Sequence, residues 1–280
     1  MTATDVRRLL ERFGLRANRD LGQNFLCDPA VAERLVALAG VAEEDTVLEI
    51  GAGLGILTRA LAARAARVVA IEVDSGLVAA LRDGDALPAN VTVCHGDALK
   101  EDLVGLLDAA HPARVVSNLP YASSAPLLRR VLDLRSRLVD WSVMVQREVA
   151  ARLVARPGSR DYGSLAVLHA LVADVSEQFR VSPGHFFPRP QVHSSFVRIR
   201  PLETPRIAGD ELARVERTVR AAFGQRRKQL GNALRGSGLW TEEAIHGALA
   251  AVGVDSRVRA ESLAPELLRD IARALPEARP

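Results

Sequence analysis

Asn118-Leu119-Pro120-Tyr121 places an amide, a proline-stiffened backbone and an aromatic ring side by side. An exocyclic amine on an aromatic base is a poor nucleophile, because its lone pair is delocalised into the ring. Acceptors that hold both amine hydrogens favour a more tetrahedral nitrogen. The Asn118 side-chain oxygen supplies one acceptor, and the Leu119 carbonyl, with its backbone constrained by Pro120, supplies another. Tyr121 offers a ring for stacking on an extruded base, a contact worth about 1 to 3 kcal/mol. The plainer reading of these residues is an Asn-x-Pro turn with a core tyrosine.

Upstream, Glu49-Ile50-Gly51-Ala52-Gly53-Leu54-Gly55 follows an apolar run and precedes a helical pattern. In that position glycines let a backbone approach a ligand closely. Ile56 stands where a dinucleotide fingerprint places its third glycine, so the motif is weak alone. Glu72 lies 21 residues after Gly51, where a carboxylate accepts hydrogen bonds from both ribose hydroxyls. Asp97 completes a row of acidic groups at strand ends and suits an adenine amino group. Its competing role is to cap the following helix.

These groups need a scaffold that brings strand ends together. Asp28-Pro29 and AVAERLVALAGV (30–41) predict a capped helix stopped near Gly40. Then DTVLEIGAG, RVVAIEVD, NVTVCHGDAL and ARVVSNLPY read as strands, with ILTRALAARA and SGLVAALRDGD as intervening helices. Such alternation, with near-continuous Val/Ile/Leu strands, implies a parallel sheet covered on both faces. WSVMVQ predicts a further strand running into a helix. YGSLAVLHALVADV is helix or strand, and SSFVRIRP closes the alternation. From about 205 the pattern becomes short helices separated by Gly or Pro, which predicts a small all-helical domain. The expected division is 1–203 and 204–280.

The 280 residues are 48% hydrophobic and 25% charged, and no run of about 18 uncharged apolar residues exists to span a bilayer. The first residues lack the apolar core of a secretory signal, so a cytoplasmic location is expected. Cys27 and Cys94 are too few for a disulfide framework. The six histidines form no metal-binding spacing, so no metal is assigned, and neither a G-x-S-x-G turn nor a P-loop lysine is present. Net charge is only +3, but residues 7–19, 126–160 and 214–235 carry local sums of +4, +5 and +6. Only two of the basic residues, Lys100 and Lys228, are lysines, so the charge sits on guanidinium forks suited to phosphate.

Taken in order, LGQNFL (21–26), VLEIGAGLGILTRAL, IEVD, GDAL, NLPY, FFPRPQVHSSFVRI and AAFGQRRKQLGNAL resemble the ribosomal RNA adenine dimethylase family, in its small-subunit branch. The match runs from about 16 to 275. It implies a Rossmann-like class I methyltransferase sheet in an α/β fold, with a small all-helical C-terminal domain. It also implies S-adenosylmethionine as cofactor, held by Asn24, Leu26, Gly51, Gly53, Glu72, Asp97 and Asn118. The catalytic segment would be Asn118, Leu119, Pro120 and Tyr121. Phe186-Phe187-Pro188-Arg189-Pro190 resembles the family's F-x-P-x-P loop, whose aromatic lines the target-base pocket; which Phe faces the base is open, as is a plain hydrophobic anchor. Arg226, Arg227 and Lys228 would hold rRNA phosphates. The implied partner is 16S rRNA in the small subunit or its precursor, met by a monomer away from any membrane. After Tyr121 the chain reads ASSA where many members carry N-I-S-T-like residues, a change that adjoins the pocket.

Three alternatives stand beside this reading. A nicotinamide dehydrogenase explains Gly51 and Glu72 but leaves Asn118 to Tyr121 and the basic tail without a role. The macrolide-resistance methylase of 23S rRNA shares the fold and an N-x-P-Y motif, yet FGQRRKQLGNAL and RAESLAPEL resemble the small-subunit branch. A non-catalytic ribosome-assembly factor would not need the motifs intact.

Overall fold

In chain order the elements of the computed structural model are α1 (Ala3–Arg12), β1 (Phe25–Leu26), α2 (Pro29–Ala39), β2 (Thr46–Ile50), α3 (Ile56–Ala62), β3 (Arg67–Glu72), α4 (Ser75–Asp83), β4 (Val91–His95), β5 (Ala113–Asn118) and α5 (Ser124–Asp133). They continue with β6 (Leu138–Gln146), α6 (Arg147–Leu153), α7 (Ser164–Ala170), β7 (Ala173–Val181), β8 (Phe186–Phe187), β9 (Ser194–Pro201), α8 (Leu212–Phe223), α9 (Leu230–Gly236), α10 (Glu242–Ala251) and α11 (Pro265–Ala274). The structure describes residues 2–18, 21–83, 87–107, 112–225 and 227–278. Arg19 of the N-terminal basic run and Arg226 of the tail lie outside the described residues. Contacts divide the chain into two units, 1–150 with 176–201 and 151–175 with 202–280.

Within the described residues, seven strands form one sheet in the order β4-β3-β2-β5-β6-β9-β7. The pairs from β4 through β6 are parallel, as the apolar strand and helix alternation implies. β9 departs from that expectation and runs antiparallel to β6. Parallel strands need a crossover that returns the chain to the same edge, and β9 instead enters from the β8 segment at the opposite end. The central strands are nearly water-free, with Val47, Leu48, Val68, Val69 and Val115 all buried, while the edge strands β4 and β7 are largely half-buried or exposed. On one face Leu35, Leu57 and Leu61 of α2 and α3 pack against Val47, Val68 and Val116.

Local signals explain the helix starts. The Asp28 side chain accepts from Ala30 N and Val31 N, and Pro29 opens α2 with a preset φ. α1 carries a capping box, in which Asp5 N donates to Thr2 Oγ1 at 3.3 Å and Thr2 N donates to Asp5 Oδ2 at 2.7 Å. α1 buries Val6 and Leu10 in a cluster with Phe25, Leu54 and Leu77.

An ion network ties the middle of the sheet. Asp140 of β6 is 2% exposed and receives Arg114 Nη1 at 2.7 Å and Arg198 Nη2 at 2.5 Å. Arg114 Nε also reaches Asp45 Oδ2 at 2.6 Å, so β5, the strand that ends in Asn118, is held on both sides.

The second unit is helical apart from the first residues of β7. Its composition differs from the division expected at 203/204, because 151–175 pack with the tail. The reason is visible at Tyr162, whose hydroxyl donates to Leu263 O at 2.9 Å and whose ring meets Phe223 edge-on at 5.8 Å. A buried tyrosine needs an acceptor at its tip and apolar partners along its ring, and the tail helices supply both. No helix among the described residues is long and apolar enough to cross a membrane.

Candidate active site

A cavity of about 300 Å³ opens at the carboxyl ends of β2, β3 and β5, within the first unit. Its walls include Asn24, Gly51, Glu72, Asp97, Asn118 and Tyr121, with Leu26, Gly53, Leu119 and Pro120 between them. Ten positions singled out in the sequence thus meet around one space. The described residues contain no group of three or more His, Cys, Asp or Glu arranged to hold a metal.

Two close approaches build the cavity. Gly51 has φ 82°, and a Cβ there would meet Pro120 Cδ at 3.4 Å, so the glycine turn and the tetrapeptide turn share a wall. At Gly22, φ 66°, a Cβ would come within 2.7 Å of Ala122 N. Only glycine lets the segment leading to Asn24 cross so near the turn after Tyr121.

Asn118 ends β5 with its side chain oriented by one contact. Its Nδ2 donates to Asn24 O at 3.3 Å, which leaves Oδ1 pointing elsewhere. That oxygen is buried and accepts no hydrogen bond among the described residues. Buried polar atoms are rarely left so. Leu119 N donates to Met144 O at 3.0 Å, whereas the Leu119 carbonyl accepts nothing among the described residues. The Tyr121 hydroxyl lies 2.5 Å from Ser194 Oγ, and burial pushes its pKa up, against the pull of that hydrogen bond.

Glu72 is 5% exposed and already organised by backbone donors. Oε2 accepts from Gly53 N at 2.9 Å, and Oε1 accepts from Val73 N at 2.9 Å and Asp74 N at 3.0 Å. Burial raises its carboxyl above the ordinary range, while these three donors pull it back toward the charged form. Two oxygens offer roughly four lone-pair sites, so room remains for a ligand donor. Asp97 fills the turn-capping role: Oδ1 accepts from Leu99 N at 3.0 Å, and Oδ2 lies 3.4 Å from Lys100 Nζ. It stands on the cavity wall at the same time.

The cavity also contains a residue to which the sequence reading gave no role. Glu49, 1% exposed, sends Oε2 to a position with no partner among the described residues. Burial pushes its carboxyl up to about 8; Thr58 pulls the other way without closing to a hydrogen bond, and the Glu72 charge adds to the rise. Its signal in the sequence is an acid inside the apolar run V-L-E-I. The folded chain keeps this proton while an unfolded Glu loses it near 4.5, so stability falls as pH rises from about 4.5 to about 8. Thermal melts across that window should show a shallower decline for Glu49→Gln than for the wild type; parallel curves would contradict it.

Phe186 and Phe187 adjoin the cavity through their strand partners Leu26 and Phe25, which line it. As β8 they pair antiparallel with β1, Phe186 opposite Leu26 and Phe187 opposite Phe25. Phe186 is buried in the α2 and α3 core, and Phe187 packs near α1 with the Arg7 guanidinium 5.3 Å from its ring. Neither forms part of the cavity wall described above. In the second unit, Arg227 and Lys228 are exposed between α8 and α9, and neither side chain has an ion-pair partner among the described residues.

A family model described as ribosomal RNA adenine dimethylase matches residues 14–276. A protein of Geobacter metallireducens named ribosomal RNA small subunit methyltransferase A is 40% identical over 94% of this chain and 96% of its own length. A protein of the same name from Magnetococcus marinus is 41% identical over 92% and 91%. Among solved structures, the 23S rRNA methyltransferase ErmE aligns with TM-score 0.63 and 26% identity over 90% of this chain and 99% of its own. A dimethyladenosine transferase from Plasmodium falciparum aligns with TM-score 0.70 and 23% identity over 88% and 95%, a likeness of fold. With its sheet order, its glycine turn and its Asn-Leu-Pro-Tyr segment around one cavity, the chain belongs to the ribosomal RNA adenine dimethylase family.

Proposed function

We propose that this chain is an S-adenosylmethionine-dependent enzyme that dimethylates N6 of two adjacent adenosines near the 3′ end of 16S rRNA, on small-subunit particles in the cytoplasm. The observation that carries this reading is the buried, unpartnered Asn118 Oδ1 on the wall of the cavity. With the Leu119 carbonyl also free, the turn presents two acceptors to one amine. When bound, the cofactor supplies an electrophilic methyl group on sulfonium sulfur. The residues fit it: Glu72 keeps acceptor capacity for ribose hydroxyls, Asp97 faces the cavity for the adenine, and the glycine turn approaches without side chains. Asn118 and Leu119 hold the target amine for in-line attack, and Tyr121 stacks on its ring. No general base is required, because the proton leaves after the new bond forms.

The small-subunit target is favoured over 23S rRNA by identities of 40 and 41% to relatives named for the small subunit, against 26% to the 23S enzyme. The decisive experiment incubates the protein and S-adenosylmethionine with unmethylated small- and large-subunit particles and maps the methylated adenosines. Two adjacent dimethyladenosines near the 16S 3′ end are expected. Methylation of 23S RNA alone, or of neither, would overturn the reading.

The helical unit, on this reading, holds rRNA phosphates. Much of its positive charge is internally engaged: Arg214 donates to the carbonyls of Ala272, Arg273 and Leu275, Arg220 pairs with Glu216, and Arg235 with Glu242. Arg227 and Lys228 stay available to solvent. Replacing Arg226, Arg227 and Lys228 with Ala should weaken particle binding and flatten its salt dependence, by roughly 0.7 to 0.9 in log-log slope per lost phosphate contact. Cofactor affinity should hold. Salt series with superimposable lines for the wild type and the variant would remove the segment from the interface.

A further inference from the structure

Ser194 opens β9 at the end of the segment that resembles the F-x-P-x-P loop, and its side chain is fully buried. Its hydroxyl oxygen lies 2.5 Å from the Tyr121 hydroxyl. Both ends of this hydrogen bond are fixed to the same strand. On one side Leu119 N donates to Met144 O at 3.0 Å; on the other Arg147 N donates to His193 O at 3.0 Å, and Ser194 itself pairs with Gln146. The Tyr121 side chain therefore reaches across the carboxyl end of β6, which separates β5 from β9. With adjacent strands about 4.8 Å apart, β5 and β9 lie two spacings or about 10 Å apart, a span that the tyrosine side chain covers together with the hydrogen bond and the Ser194 side chain. The ring is thus pinned at the Cα by the Asn-Leu-Pro-Tyr turn and at the hydroxyl by Ser194, while it lines the cavity.

We propose that Ser194 is a positioning residue for the target base: its hydroxyl fixes the position and long axis of the Tyr121 ring on which the adenine stacks. This inference rests on the reading of Tyr121 under the proposed function. An untethered tyrosine samples several staggered positions about its first side-chain bond, most of which carry the ring away from a base at this site. Small misplacements of a positioning group are costly in an in-line reaction. Burial keeps the Tyr121 phenol in its neutral form, so its hydroxyl serves as an anchor and not as a proton acceptor. The neighbouring Ser195 is equally buried but donates to Glu177 Oε1 at 2.9 Å, so the two serines have separate duties.

Single-turnover methylation of unmethylated small-subunit particles at saturating cofactor tests this. Ser194→Ala and Tyr121→Phe delete the same hydrogen bond from opposite ends. Each should slow the methyl-transfer step about 3- to 10-fold, the scale of one hydrogen bond. S-adenosylmethionine affinity by calorimetry should be unchanged, and the pH-rate profile should keep its shape. Ser194→Thr should recover most of the rate, and the double variant should be no slower than the slower single one. Losses that multiply in the double variant, or a Tyr121→Phe rate equal to wild type, would overturn the inference. A shifted pH profile in Tyr121→Phe would also overturn it, by giving the hydroxyl a proton-transfer role. A wild type that methylates no adenosine would defeat the proposed function itself, an outcome distinct from a wild type that is active alongside unaffected variants.

Discussion

Asn118→Ala is expected to lower single-turnover methylation by about 100-fold or more while cofactor affinity falls far less, by analogy with deletion of one oxyanion-hole donor. The side chain contributes two things. Its Nδ2 bond to Asn24 O ties β5 to the N-terminal segment, and its Oδ1 is buried at the cavity wall with no partner among the described residues. Only the second acts on the reacting amine. Asn118→Asp separates them, since a carboxylate keeps an acceptor toward the amine but cannot donate to Asn24 O. Retained activity in Asp above that in Ala, with both variants folded by thermal melting, would assign the rate to the acceptor. If the Ala variant stayed within about threefold of wild type, about 0.7 kcal/mol in barrier, Asn118 would have no part in the chemistry.

What the sequence announced and what it hid follow from the range of the interactions involved. β2, β3 and β5 are legible because strands buried on both faces are apolar runs, and the half-exposed edge strand β4 is legible from its β-branched Val91, Thr92 and Val93; the four run into glycine, Glu72, Asp97 and Asn118, residue types out of keeping with them. The ambiguous YGSLAVLHALVADV resolved into α7 and then β7, a distinction that periodicity over so few residues does not make. α1 shows in the sequence only as a basic stretch, since Val6 and Leu10 are its two buried residues and the rest of the helix is largely charged. The pairing of β1 with β8 was invisible because two-residue strands carry no period. That pairing sets Phe186 and Phe187 opposite Leu26 and Phe25, two residues of the cavity wall. Ser194 lies inside FFPRPQVHSSFVRI, but its bond to Tyr121 joins residues 73 positions apart and leaves no local trace. The same holds for the Gly53 donor on Glu72, 19 positions away, whereas its other two backbone donors, Val73 N and Asp74 N, are sequence neighbours.

Those donors change what a substitution at Glu72 should do. Glu72→Ala is expected to weaken S-adenosylmethionine binding by about 10- to 150-fold, or roughly 1.5 to 3 kcal/mol, the scale of a charged hydrogen-bonded pair. It also strips the acceptor from Gly53 N, Val73 N and Asp74 N, so the glycine turn loses its anchor and melting temperature should fall as well. A contact with ribose and an anchor for the turn would both lower affinity, and Ala alone does not tell them apart. Glu72→Gln does. Its amide oxygen can serve either Gly53 or the Val73 and Asp74 pair, but its NH₂ then opposes a backbone donor on the other side. The turn is therefore strained in Gln much as it is in Ala, while a hydrogen-bonding group still faces the ribose. Affinity in Gln close to that in Ala, with matching losses of melting temperature, would make turn organisation the main contribution of Glu72. Affinity in Gln near wild type despite a lowered melting temperature would make it the ribose contact. Calorimetry that finds wild-type affinity in Ala as well would remove Glu72 from cofactor binding altogether and leave it the anchor of the turn.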